Sequence, residues 1–320
     1  MFFPPLQSYP LDSIDAQPIA AYGVRYLTQR YGRGPFATVV RHIDGAIRDI
    51  YGTSAGTLDI EAALRFAGGG TAEVLRKYDL TGNGRHANFV ARSGPLLVRN
   101  GVVNIVADLP VYCSSGNSFG KATMPFSWDQ PLVINGVFIQ ASAPMSKAYA
   151  IGLDTTISTY RDIQMTVGAD FALGLGEDLN SMTPNTAKLA KDTAHILSLI
   201  RNATGTTTRG YIKQNGLLVS TMTTESQSTS ITPSQLALYA DPDNSASRVP
   251  LGSGWQEIVV FNTTTPPSAS ALLTLEFDQG AFFNIPLFGT LAWPIQVSRK
   301  ILASNGSALT SNTGANITYR

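Results

Sequence analysis

Apolar and polar positions alternate along most of the chain with the two-residue period of β-strands. In ATVVRHIDGAIRDIYG, Val39, Arg41 and Ile43 fall on one side, Val40 and His42 on the other. Asp44-Gly45 reads as the turn of a hairpin whose return strand carries Ile47, Asp49 and Tyr51. Residues 58–67, LDIEAALRFA, break that period. Leu58, Ala62 and Phe66 recur every four residues, predicting a helix that Gly68-Gly69-Gly70 would end. AEVLRKYD follows as a strand, whereas AAYGVRYLTQRY at 20–31 fits either a short helix or a strand. From residue 96 onward, apolar runs such as LLVRNGVVNIV, PLVINGVFIQAS, HILSLIRN and WQEIVVFN predict strand after strand. Their spacing, with Asn-Gly at 100–101, 135–136 and 215–216, argues for a β-sandwich. SASALLTLEFDQGAFF at 268–283 reads as a terminal helix.

These elements predict an N-terminal extension (1–17), a sandwich (18–284) and a C-terminal extension (285–320). The last carries Leu287, Phe288, Leu291, Trp293, Ile295 and Val297 with little polar relief. It should bury against another chain or the sandwich's own flank, with Phe288 and Trp293 as assembly contacts.

Composition adjusts this picture. A chain of 320 residues can bury a large core, and only 14% of it is charged against 43% hydrophobic. A net charge of +1 provides no global field to recruit nucleic acid or a membrane surface. No stretch approaches the ~18 uninterrupted apolar residues of a membrane span. The start, MFFPPLQSYPLD, lacks the basic and apolar regions of a signal peptide. One cysteine, Cys113, excludes an internal disulfide framework and a multi-cysteine metal site. These features suit a protein made in a reducing cytoplasm and carried out on a particle.

Two stretches carry a resemblance. AAYGVRYLTQRYGRGPFATVVR, followed by LDIEAALRFAGGGTAEVLRKYDLTGNGRHANF, resembles the catalytic domain of family 54 α-L-arabinofuranosidases and their relatives in bacteriophage virions and bacterial surface proteins. The hallmark is Tyr78-Asp79, a short polar pair, then Gly82-Asn83-Gly84, with His86 beyond. GYIKQNGLLVSTMT and LGSGWQEIVVFNTTTPPSASALLTLEF are similar to the hairpin and closing strand of laminin-G-like, concanavalin-like jelly rolls. The resemblance covers roughly residues 18–284. It implies an all-β jelly-roll sandwich with one short helix near its N-terminal part and extensions at both ends. In that setting Gly82 and Gly84 supply positive-φ positions, Asn83 tolerates the same region, and Asp79 and Thr81 cap the turn's free amides.

The resemblance also implies a glutamate nucleophile in the central part of the domain, beside a disulfide between adjacent cysteines. This chain has a single cysteine and no glutamate between Glu73 and Glu177. Asp154, Asp162, Asp170, Glu177 and Asp178 are the acids that could form a substitute pair. Glu177-Asp178 reads more simply as a solvated turn. His42 and His195 read as strand-face residues, and no serine-hydrolase order is present. The expectation is therefore a protein without catalysis. It would be a bacteriophage virion component displaying a jelly roll on a tail fibre or capsid, with other virion proteins as partners and a trimeric state. The alternative is a glycoside hydrolase acting on host surface polysaccharide. For glycan contact the candidates are Trp128, Tyr211 and Tyr239, whose rings could stack on sugars. No cofactor is implied by the residues. Jelly rolls of this kind do hold calcium, for which Asp241, Asp243 and Asn244 are candidates, with Asp79 and Asn83 behind them.

Overall fold

A computed structural model describes residues 9–106, 109–116, 118–127, 130–141, 148–154, 164–167, 173–176, 188–202, 210–222, 235–239 and 251–288. Among them, antiparallel strands dominate and two α-helices occur, α1 (Ile60–Ala67) and α2 (Ala269–Phe283). The all-β sandwich with a short early helix is the observed architecture.

Its centre is a run of long strands. Leu132–Ile139 pairs on one side with Ala194–Arg201 and on the other with Gly254–Asn262. Gly210–Gln214 and then Leu217–Met222 continue the sheet beyond Ala194–Arg201. Along the far edge of Gly254–Asn262 lie Ala20–Tyr22 and Tyr112–Cys113. A second arm runs Ile47–Ile50, Ala37–Arg41, Ala72–Lys77 and Ala87–Phe89. It continues through Gly120–Thr123, Gln235–Leu238, Ala148–Asp154, Gln164–Val167 and Leu173–Gly176. Cys113 pairs with Leu96, which links the arms, and residues from both arms, among them Cys113 and Leu97, form one apolar core.

Both faces of the three central strands are buried along their whole length, so these strands read as unbroken apolar runs. α1 begins with Asp59, whose carboxylate accepts from the Ala62 N–H, and ends at Gly68 in the left-handed conformation. α2 is capped by Ser268 and terminates at Asn284, also left-handed. AAYGVRYLTQRY, open between helix and strand, contributes Ala20–Tyr22 as a strand.

At both ends the described chain reaches the core. Leu11, Ile14 and Ala16 join the core, and Ile285 is buried against it. The turn residues also separate. Asn100-Gly101 and Asn215-Gly216 are hairpin turns with positive φ at all four residues. Asn135-Gly136, read as a turn, instead lies inside the Leu132–Ile139 strand. A Cβ at Gly136 would sit 2.4 Å from the Glu257 carbonyl oxygen and 3.0 Å from Trp255 Cζ3, so the glycine allows close approach of the neighbouring strand. Gly136→Ala should cost about 1–3 kcal/mol by forcing these strands apart, measured as a lowered urea midpoint.

Candidate functional site

The helix α2 lies over the central sheet, and its buried stripe is only partly apolar: Leu272, Leu275 and Phe283 alternate with Glu276 and Gln279. Beneath those two, the strands present Asn135, Ser198 and Glu257, all fully buried. Glu276 accepts from the Ser198 hydroxyl at 2.7 Å and from Lys213 Nζ at 2.6 Å. Asn135 Nδ2 donates to Ser198 Oγ at 2.9 Å. Gln279 Nε2 donates to Asn135 Oδ1 at 2.6 Å and to Glu257 Oε1 at 3.0 Å. Arg25 closes the chain, with Nε 2.8 Å from Glu257 Oε2 and Nη2 2.6 Å from Asp278 Oδ2. Its guanidinium lies 4.3 Å from the Phe282 ring centre.

This seam gathers three carboxylates, yet its chemistry is structural. Each acid faces a cation, and Glu257 and Glu276 have no exposed side-chain surface, so a substrate cannot reach them. Removing one member leaves the others charged and dry. Arg25→Met should cost about 3–5 kcal/mol, the usual loss when a buried pair is broken. Asp278→Asn, at the rim, should cost less than about 1 kcal/mol. Chemical denaturation distinguishes the two. Glu257, Glu276 and Arg25 escape a sequence reading because they sit within apolar runs and show no spacing motif.

The stretch YDLTGNGRHAN forms a second polar centre. Asp79 is fully buried. Its Oδ1 accepts from the Ala21 and Thr81 N–H groups and the Thr81 hydroxyl, and its Oδ2 accepts from the Arg85 N–H. Gly82 and Gly84 have φ of +80° and +76°, and Thr81 Oγ1 accepts from the Asn83 N–H. Asn83 Nδ2 and Arg85 Nη1 reach the Ile19 carbonyl, which ties the turn to the N-terminal strand. His86 Nδ1 accepts from the Asp79 N–H at 3.1 Å, and its ring meets Tyr78 edge-on at 4.8 Å. Burial lowers the His86 pKa, and the nearby Arg76 lowers it further.

A third feature lies between the arms. Lys77 is buried with its Nζ 4.1 Å from the Tyr112 ring centre and 3.4 Å from the Tyr239 hydroxyl. Burial lowers its pKa to about 7. Unfolded lysine titrates near ~10.4, so between these values the unfolded chain holds a proton that the folded chain releases. Stability should therefore rise with pH from 7 to 9, and the full penalty is present below pH 7. Urea midpoints across that range should climb for the native chain and climb less for Lys77→Met.

The other candidates fall as follows. Tyr239 is a correction: it is fully buried and donates to the Tyr112 carbonyl oxygen, so its ring cannot stack on a sugar. Tyr211 is half-buried and packs against the core. Trp128, Trp293, Asp241, Asp243 and Asn244 lie outside the described residues, as do Asp162, Asp170, Glu177 and Asp178. Among the described residues, no group of three or more His, Cys, Asp or Glu could hold a metal. His42 Nε2 sits 2.7 Å from Glu73 Oε2, while Glu73 Oε1 accepts from the Gly94 N–H. His195 is buried, which lowers its pKa, and its Nε2 accepts from the Ala190 N–H. Phe288 is 62% exposed, an uncovered apolar side chain at the start of the C-terminal segment.

The fold is similar to solved arabinofuranosidases. A family 54 α-L-arabinofuranosidase mutant soaked with 4-nitrophenyl α-L-arabinofuranoside matches with TM-score 0.64 at 15% identity, over 85% of this chain. An arabinofuranosidase complexed with arabinofuranosyl-α-1,2-xylobiose matches with TM-score 0.61 at 15% identity, again over 85% of this chain. The chain spans 64% of the length of each. No family model and no curated protein sequence matches it. The likeness to the arabinofuranosidases is one of fold alone. It bears on the arabinofuranosidase resemblance and not on the laminin-G-like or bacteriophage ones. The expectation of a protein without catalysis is corrected here. The solved structures that share this fold over 85% of the chain are arabinofuranosidases, so the likeness points to that class and not away from it.

Proposed function

We propose that the chain is a carbohydrate-acting protein, a glycoside hydrolase of arabinofuranosidase-like fold that works on a polysaccharide. The observation that carries this reading is the fold match over 85% of the chain to enzymes captured with arabinofuranosyl ligands. Glycoside hydrolysis of the retaining kind needs two carboxyl groups about 5 Å apart, one nucleophilic and one able to give and take a proton. The seam acids under α2 are unsuited to both tasks, because each is held against a cation.

The register of the second arm supports another source. Asp154 closes the Ala148–Asp154 strand opposite Gln235. Gln164 pairs with both Gly152 and Gly176, and Gly176 directly precedes Glu177 in the chain. Asp154 ends one of the two strands that flank Gln164–Val167, and Glu177 follows the last residue of the other in the chain. Purified protein should release arabinose from 4-nitrophenyl α-L-arabinofuranoside or arabinoxylan. Glu177→Gln and Asp154→Asn should each lower the rate by about 10²–10⁴, the usual contribution of positioned acid–base groups. A folded protein that turns over neither substrate would contradict the proposal.

A further inference from the structure

The outer face of the second arm carries a row of side chains that neither the core nor the seam uses. Asp49 lies opposite Thr38, Thr38 opposite Arg76, and Arg76 opposite Asn88, one residue on each of four adjacent strands. Neighbours in the row are bonded at both ends. Thr38 Oγ1 donates to Asp49 Oδ1 at 2.6 Å, and Arg76 Nε donates to Asn88 Oδ1 at 2.8 Å. Tyr78 adds a second donor, its hydroxyl 3.3 Å from Asp49 Oδ1, and the Arg76 guanidinium stands 5.9 Å from the Tyr78 ring centre. His86 packs against that ring, fixed by the Asp79 turn.

An ordinary solvated strand face carries long side chains that move independently in water. Here the side chains hold one another, so ordering them on a ligand costs little. Among the described residues they also leave a consistent set of groups without a hydrogen-bond partner. Asp49 Oδ2 is an acceptor, and the two terminal nitrogens of Arg76 are donors. Because His86 accepts through Nδ1, its neutral ring carries the hydrogen on Nε2. With strands about 4.8 Å apart, the row extends roughly 14 Å, long enough for more than one sugar unit.

We propose that this face binds an extended polysaccharide, with hydroxyl groups donated to Asp49 and accepted from Arg76 and His86 beside the Tyr78 ring. This rests on the carbohydrate reading above, but places recognition on a surface separate from the strand ends that supply the reacting carboxyls. It would hold a polymer while its side branches are processed elsewhere.

Affinity electrophoresis through gels containing arabinoxylan or linear arabinan tests it, with turnover of 4-nitrophenyl α-L-arabinofuranoside measured on the same native protein. Retardation of the native chain should weaken at least fivefold in apparent affinity in Arg76→Ala and in Asp49→Ala, and vanish in the double variant. All three variants should keep the native circular dichroism spectrum. Equal retardation of the double variant, or no retardation of the native chain in either gel, overturns the proposal. Retardation without turnover would leave this surface standing and remove the hydrolase. Turnover without retardation would do the reverse.

Discussion

The buried pairing of Arg25 with Glu257 is the constraint on which the rest of the structure depends. Glu257 sits in the middle of the central closing strand, and Arg25 lies just after the N-terminal strand that pairs with it. Their bond ties the beginning of the described chain to its end. Through Gln279 and Asp278 it also fixes the angle at which α2 crosses the sheet. An apolar stripe alone would let such a helix slide or rotate at little cost. A row of directional bonds running from Lys213 to Arg25 does not allow it.

The same seam decides how the carboxylates are divided. Acids under α2 are saturated by cations and closed to water. The chain therefore keeps an arabinofuranosidase-like scaffold with its most deeply buried charges committed to holding it together.

The legibility of the chain follows from where information is local. The Asp44-Gly45 and Asn215-Gly216 hairpins and α1 with its glycine stop depend on residues within a few positions of one another, and each can be read in the sequence. Asn135-Gly136 misleads because the same dipeptide serves a long-range purpose: the glycine admits Trp255, and the asparagine bridges Ser198 and Gln279. Glu257 and Glu276 are hidden for the same reason, since their partners lie 232 and 63 residues away. Tyr239 looked available for a sugar only because its burial is set by strands far from it in sequence.

The central claim is that the Arg25–Glu257 pair is a structural clamp and not catalytic machinery. A double-mutant cycle of Arg25→Met and Glu257→Leu, read by urea denaturation, tests it most directly. The account predicts that the double variant is destabilised far less than the sum of the two single variants, because the charges are buried only as a pair. Additive losses would contradict it.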